Sequence, residues 1–192
     1  MKIGIISDIE GNDQKLRQVL DELQACKLIV CLGDIIGDKG DSNKVIELLN
    51  NSRIKSILGN HDLEIVLNKD IAASEYMAKF LKESGNTFHT SVNLSDENME
   101  FLKKLKLVLK IRHNGRQFGF YHSIYGRVEG EIYFEYVNEG NAHALLEISE
   151  SLVTFIGHKH IPALFSKARS VQIKYARLRT SKTFSLNMTN NI

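Results

Sequence analysis

The sequence predicts an α/β domain, and two regularities carry that expectation. Five short apolar runs recur along the 192 residues, at Ile3–Ile6, Leu28–Leu32, Ile54–Leu58, Phe118–Tyr121 and Leu152–Ile156. Runs of that length, bounded by Gly and polar residues and rich in β-branched side chains, read as buried strands. Between them lie stretches with apolar residues at helical spacing, such as Leu16, Val19, Leu20 and Leu23.

Taken in order, the elements follow from local signals. After the first strand, Asn12 can cap a helix running to about Cys26. Ser42 is the expected cap of a second helix, ending near Asn50. Two further helical patterns, Ser74–Glu83 and Ser95–Leu105, form an insertion over about residues 70–105. Met77, Phe80 and Leu81 within it read as core contacts. Leu107–Arg112 and Gln117–Tyr121 flank Asn114-Gly115, a strong hairpin signal. Glu139–Ser149 reads as a helix, and residues 161–188 as short antiparallel strands. A chain of this length suits one well-cored domain, here residues 1–192, and is short for two.

Each strand ends in residues that bind metals. The segments are Asp8-Ile9-Glu10, Gly33-Asp34, Gly59-Asn60-His61-Asp62, Tyr121-His122 and Gly157-His158-Lys159-His160. In open α/β sheets ligands bind at the C-terminal ends of the strands. Two divalent ions about 3.5–4 Å apart polarise a phosphoryl group and generate hydroxide near neutral pH. Asp8 and Glu10, two apart, share a side of an extended strand end, as do His158 and His160. Asp34, in a Gly-flanked turn, is the natural bridge between ions, and Asn60 and His122 offer an amide oxygen and a ring nitrogen. His61 is better placed over a substrate, as general acid to a leaving oxygen or as a cation on phosphoryl oxygens. Asp62 would then orient that imidazole. Arg127 is a candidate for holding a phosphate oxygen, and Asn12 can contact substrate as well as cap its helix. His89, His113 and His143 lie outside these segments and read as surface or turn residues.

Ser7-Asp8-Ile9-Glu10-Gly11-Asn12, Gly33-Asp34-Ile35-Ile36-Gly37, Gly59-Asn60-His61-Asp62, Tyr121-His122-Ser123 and Gly157-His158-Lys159-His160 together resemble the calcineurin-like metallophosphoesterases, more narrowly their small prokaryotic phosphodiesterase branch. The resemblance runs from about residue 3 to about residue 165. It implies a four-layer αββα sandwich and a dinuclear centre whose bridging hydroxide is the nucleophile. Asp8, Glu10, Asp34 and His160 would hold one ion. Asp34, Asn60, His122 and His158 would hold the other, with His61 as the catalytic histidine. It implies hydrolysis of a small phosphorylated substrate, a phosphodiester or small nucleotide ahead of a protein phosphate.

The chain departs from that pattern in three places. Glu10 stands where the family has His. An anionic oxygen there favours harder ions, so Mn²⁺ leads, with Mg²⁺, Fe²⁺, Ni²⁺ and Zn²⁺ as alternatives. The added negative charge either alters a working site or leaves it with one ion or none. Ser123 replaces a Gly and would crowd the substrate or touch phosphate. The stretch Phe184–Ile192 lacks the Pro and Gly that shape the corresponding turn in relatives, which would leave a sheet edge short or open to a partner copy.

Composition sets the remaining bounds. Hydrophobic residues make up 43% and charged residues 25%, matching a globular protein. No apolar stretch approaches the roughly 18–20 residues of a membrane span, and Met1–Ile6 is too short for a signal-peptide core. Cys26 and Cys31 read as reduced core thiols, so a cytoplasmic location is expected. Net charge is +2, yet residues 151–192 carry seven Lys and Arg and no acid. A solvated edge strand accounts for that better than nucleic acid does. Two other functions compete with the phosphoesterase: a catalytically weak scaffold of the same fold, as the retromer subunit resembling this family shows, and a nuclease.

Overall fold

The computed structural model describes residues 2–51, 53–68, 92–128, 131–135, 137–138, 140–160, 163–167 and 173–177. The strands and helices are β1 (Ile3–Ile6), α1 (Asp13–Glu22), β2 (Leu28–Cys31), α2 (Ser42–Leu49), β3 (Ile54–Ser56), α3 (Asn60–Asn68), α4 (Asp96–Lys104), β4 (Val108–His113), β5 (Arg116–Tyr121), β6 (Ile124–Val128), β7 (Glu131–Glu135), α5 (Ala142–Ser149), β8 (Val153–Ile156), β9 (Ala163–Lys167) and β10 (Ile173–Arg177). The helix expected over Ser74–Glu83, with Met77, Phe80 and Leu81, and the Phe184–Ile192 stretch lie outside the described residues.

β1, β2 and β3 form a parallel sheet, with Ile3 opposite Leu28 and Ile29 opposite Ile54. A second sheet has the order β4-β5-β8, with β4 antiparallel and β8 parallel to β5. Side chains alternate across each strand, so one sheet feeds two cores. Ile3, Ile5, Leu28, Val30 and Leu32 from the first sheet meet Leu109, Ile111, Phe118, Phe120, Val153 and Phe155 from the second. Phe120 and Phe155 stack there with ring centroids 5.2 Å apart. The other face of the first sheet packs Ile6 and Cys31 against Leu16 of α1, Val45, Ile46 and Leu49 of α2, and Met99 and Leu102 of α4. The far face of the second sheet buries Tyr121 with Ala142 and Leu145 of α5. The layers therefore run helix, sheet, sheet, helix. That is the four-layer αββα sandwich.

Most elements lie where the apolar periodicity places them, with instructive differences. Asn12 caps α1, its Oδ1 accepting from Lys15 N at 3.0 Å. The helix stops at Glu22 rather than near Cys26 because Lys27 N already bonds Lys2 O at 3.2 Å on the way into β2. Asp41, not Ser42, caps α2 through Lys44 N at 3.2 Å. Ser42 Oγ instead bonds both ways with Gly37, accepting from its N–H at 3.2 Å and donating to its carbonyl at 3.1 Å. The Asn114-Gly115 hairpin forms with φ of 49° and 73°, as a two-residue turn needs. The β6–β7 hairpin has no counterpart in the expected elements. No helix among the described residues is long and apolar enough to cross a membrane.

Candidate metal centre

Five of the expected ligands sit in left-handed backbone: Asp8 (φ 55°), Glu10 (φ 51°), Asp34 (φ 50°), His158 (φ 68°) and His160 (φ 53°). Each such residue costs about 1–3 kcal/mol and is normally a turn or a functional site. Among the described residues the other non-glycine cases are Asn114 and Glu150, in a hairpin turn and a helix cap. The strain is thus concentrated at the sheet edge. Asp8 and Glu10 lie beyond the end of β1 at Ile6, so an extended strand is not what aligns them. The turn is held in place by Asp8 N to Gly33 O at 3.0 Å and Glu10 N to Asp34 O at 2.9 Å.

One donor group gathers Asp34, His122 and His158, whose ligand atoms all lie within 4.8 Å of one another. His122 Nε2 is 3.3 Å from Asp34 Oδ2, 3.0 Å from Asn60 Oδ1 and 3.1 Å from His158 Nδ1. His122 Nδ1 lies 2.9 Å from Leu32 O, a carbonyl that only accepts, so that nitrogen carries the hydrogen. Such a carbonyl commonly fixes the tautomer of a metal-binding histidine and aims its other nitrogen at the ion. Gly59 makes the arrangement compact: a Cβ there would overlap Asp34 N and Oδ1.

The electrostatics match a cation site. Burial is the largest influence on the His122 pKa and pulls it down, but the Asp34 charge and hydrogen bond, with the charges of Asp8 and Asp62, together outweigh it and raise the net value. Asp34 shows the reciprocal effect: burial pushes its carboxyl up, and the neighbouring His122 and His61 bring it below the usual range. His158 is pushed down to about 4 by burial and then by His122, which keeps its ring neutral with a lone pair to offer. Asp34 Oδ2, Asn60 Oδ1 and His158 Nδ1 all converge on His122 Nε2, and their mutual repulsion is relieved by positive charge at that point, a proton on His122 or a bound cation. The residues present therefore fit a divalent ion.

A second donor group lies alongside. His160 Nε2 is 3.3 Å from Asp8 Oδ1 and 3.1 Å from Glu10 Oε1. Glu10 and Asp8 side chains are nearly buried, whereas that of His160 is half exposed, so this side opens to solvent. Asp8 joins the groups: its Oδ1 and Oδ2 accept from His158 N at 3.0 and 3.1 Å. Gly157 permits the approach, since a Cβ there would overlap Ser7 Oγ and lie 3.3 Å from His122 Nδ1.

His61 borders the first group, its Nε2 3.8 Å from Asp34 Oδ2 and its N–H donating to Asp34 Oδ1 at 3.0 Å. Burial lowers its pKa, only partly offset by Asp34, so the ring is mainly neutral at pH 7. Asp62, next to His61 in sequence, has its oxygens engaged by backbone N–H groups. It is fully buried, and its Oδ1 accepts from Ile35 N at 2.9 Å and Ile36 N at 3.1 Å, while Oδ2 accepts from Gly59 N at 2.9 Å. It ties the Asp34 turn to the start of α3. Asn12 Oδ1 is engaged in its cap. Arg127 falls on β6, and its side chain lies outside what is described.

Lys39 belongs to this site and has no motif of its own in the sequence. Its Nζ pairs with Glu10 Oε2. The one available signal is indirect, a lysine between Gly37 and Gly40 a few residues beyond Asp34.

The calcineurin-like phosphoesterase superfamily domain matches residues 1–177. An uncharacterised protein of Methanocaldococcus jannaschii is 29% identical over 167 residues, 86% of this chain and 65% of that protein. A metallophosphoesterase structure from Sphaerobacter thermophilus superposes with a TM-score of 0.59 at 25% identity, over 85% of this chain and 62% of that one. A hypothetical protein from Pyrococcus horikoshii shares the fold with a TM-score of 0.51 at 15% identity, over 94% and 88% of the two chains. The chain thus spans slightly less than two thirds of the first two relatives. Since the family match covers nearly all of it, including every donor described above, the chain belongs to the calcineurin-like phosphoesterase superfamily.

Proposed function

We propose that the chain is a divalent-metal-dependent phosphoesterase acting on a phosphodiester or small nucleotide. The observation that carries this reading is the pair of adjoining donor groups joined through Asp8 and His158 N–H, with His61 at their border. Asp8, Glu10 and His160 would hold one ion, Asn60, His122 and His158 the other, and Asp34 would be shared. Bound divalent ions supply Lewis acidity and a water activated near neutral pH. With carboxylates from Asp8, Glu10 and Asp34, the donor set favours Mn²⁺ over softer ions.

The chain's own residues do the rest. His61, neutral at pH 7, suits hydrogen bonding to a leaving oxygen better than standing as a fixed cation. Asp62 keeps the Asp34 turn and the His61 helix start in register. Half-exposed His160 leaves an open side for substrate, where Asn12 and Arg127 would assist in binding the phosphate.

The test is hydrolysis of bis-p-nitrophenyl phosphate and p-nitrophenyl phosphate by purified chain with Mn²⁺. Faster turnover of the diester, abolished by chelator, is expected. Faster turnover of the monoester would reassign the substrate class. No hydrolysis of either with any divalent ion would overturn the reading.

A further inference from the structure

We propose that Lys39 and Glu10 act as one unit, in which Lys39 restricts Glu10 to a single donor oxygen and sets how tightly its group takes a divalent ion. This rests on the reading of Asp8, Glu10 and His160 as metal donors.

The two oxygens of Glu10 face different partners. Oε1 lies 3.1 Å from His160 Nε2, inside the donor group, while Oε2 pairs with the Lys39 ammonium. The pairing is imposed by the backbone and not by the chance reach of a long side chain. Lys39 N donates to Glu10 O at 3.0 Å, and Glu10 N donates to Asp34 O at 2.9 Å. Gly37 packs so closely that a Cβ would lie 2.6 Å from Glu10 O. Lys39 is therefore held beside Glu10 before its side chain makes any contact.

Two consequences follow, and both act in the same sense. A carboxylate with both oxygens free can clasp an ion bidentately, whereas one whose Oε2 is held by an ammonium offers a single donor. The ammonium also offsets one of the negative charges that converge from Asp8, Glu10 and Asp34. Removing it frees the second oxygen and makes the group more attractive to a cation. Lys39 is 52% exposed, so solvent screens much of its charge. The expected change is accordingly moderate, about 3- to 10-fold in affinity.

The experiment titrates the chelator-stripped full chain with Mn²⁺ alone and reads free Mn²⁺ by electron paramagnetic resonance at low ionic strength. Lys39→Met should tighten one of the two Mn²⁺ sites about 3- to 10-fold, while Lys39→Arg stays within about twofold of the parent. In a Glu10→Gln background, Lys39→Met should change affinity by less than about twofold, because the pair is already broken. Thermal unfolding of Lys39→Met should match the parent, separating an effect on the site from damage to the fold. A silent Lys39→Met, in a parent that binds two ions, would overturn this inference alone. So would an equal shift in both backgrounds, which would mark a general charge effect. A parent that binds no Mn²⁺ would overturn the metal reading and this inference with it.

Discussion

Replacing Asp62 separates a scaffold role from a role on the His61 ring. Its two oxygens accept three backbone hydrogen bonds, from Ile35, Ile36 and Gly59, in a fully buried setting. Asp62→Ala leaves three buried N–H groups without acceptors, at about 1–3 kcal/mol each. The sum is reduced because the substitution also removes a buried charge. Burial, then repulsion from Asp34, pushes the Asp62 carboxyl up to about 7, so keeping it ionised at pH 8 is itself costly. Neighbouring effects are also not additive, and a net loss of about 3–5 kcal/mol is expected. Asp62→Asn keeps an oxygen for Ile35 and Ile36 and disrupts only the Gly59 contact, at about 1–2 kcal/mol. Urea unfolding of the metal-free protein at pH 8, followed by circular dichroism, measures both. With a slope of about 2 kcal/mol/M, the Ala midpoint should fall by roughly 2 M and the Asn midpoint by less than 1 M. Ala and Asn midpoints both near the parent, together with a lower kcat, would refute the reasoning and return Asp62 to the imidazole.

Three further outcomes are expected. Glu10→His should raise affinity for Zn²⁺ relative to Mn²⁺ and increase turnover; if neither moves in competitive metal titrations, Glu10 is not a donor. His61→Ala should lower kcat by roughly 10²–10³ with metal content unchanged, as loss of a hydrogen-bond donor to the leaving oxygen requires, whereas loss of metal would make it a ligand. Burial raises the Cys31 pKa and encloses its thiol, so Ellman's reagent should modify only Cys26 in the folded protein and both cysteines after unfolding. Two fast-reacting thiols in the native state would contradict the packing of β2.

Much of the architecture was legible because burial on both faces leaves a simple imprint. Runs such as Ile3–Ile6 and Leu28–Cys31 are continuously apolar since alternate residues feed two different cores. The Asn114-Gly115 turn was legible for the same kind of reason, since few dipeptides tolerate two positive φ values. The donors were legible as residue types at strand ends, but their alignment was not. Asp8 and Glu10 face the same partner, His160, through left-handed turns, and backbone strain in Asp, Glu and His carries no sequence mark of its own. Asp62 illustrates the converse. Adjacency to His61 suggests a partner for the ring, whereas two of the three backbone N–H groups that Asp62 accepts from are 26 and 27 residues away in the Asp34 turn. Asp41 and Ser42 are both good caps, and only the Gly37 contact of Ser42 decides between them. The β6–β7 hairpin was missed because Ile124–Val128 mixes Tyr, Gly and Arg and lacks a clean alternation.

The most direct measurement of the central claim is metal content per chain, by elemental analysis of protein loaded with Mn²⁺ and dialysed free of excess. The two adjoining donor groups predict two ions per chain, both removed by chelator together with phosphodiester hydrolysis. A content of one ion or none, with no turnover in any divalent metal, would contradict a dinuclear phosphoesterase.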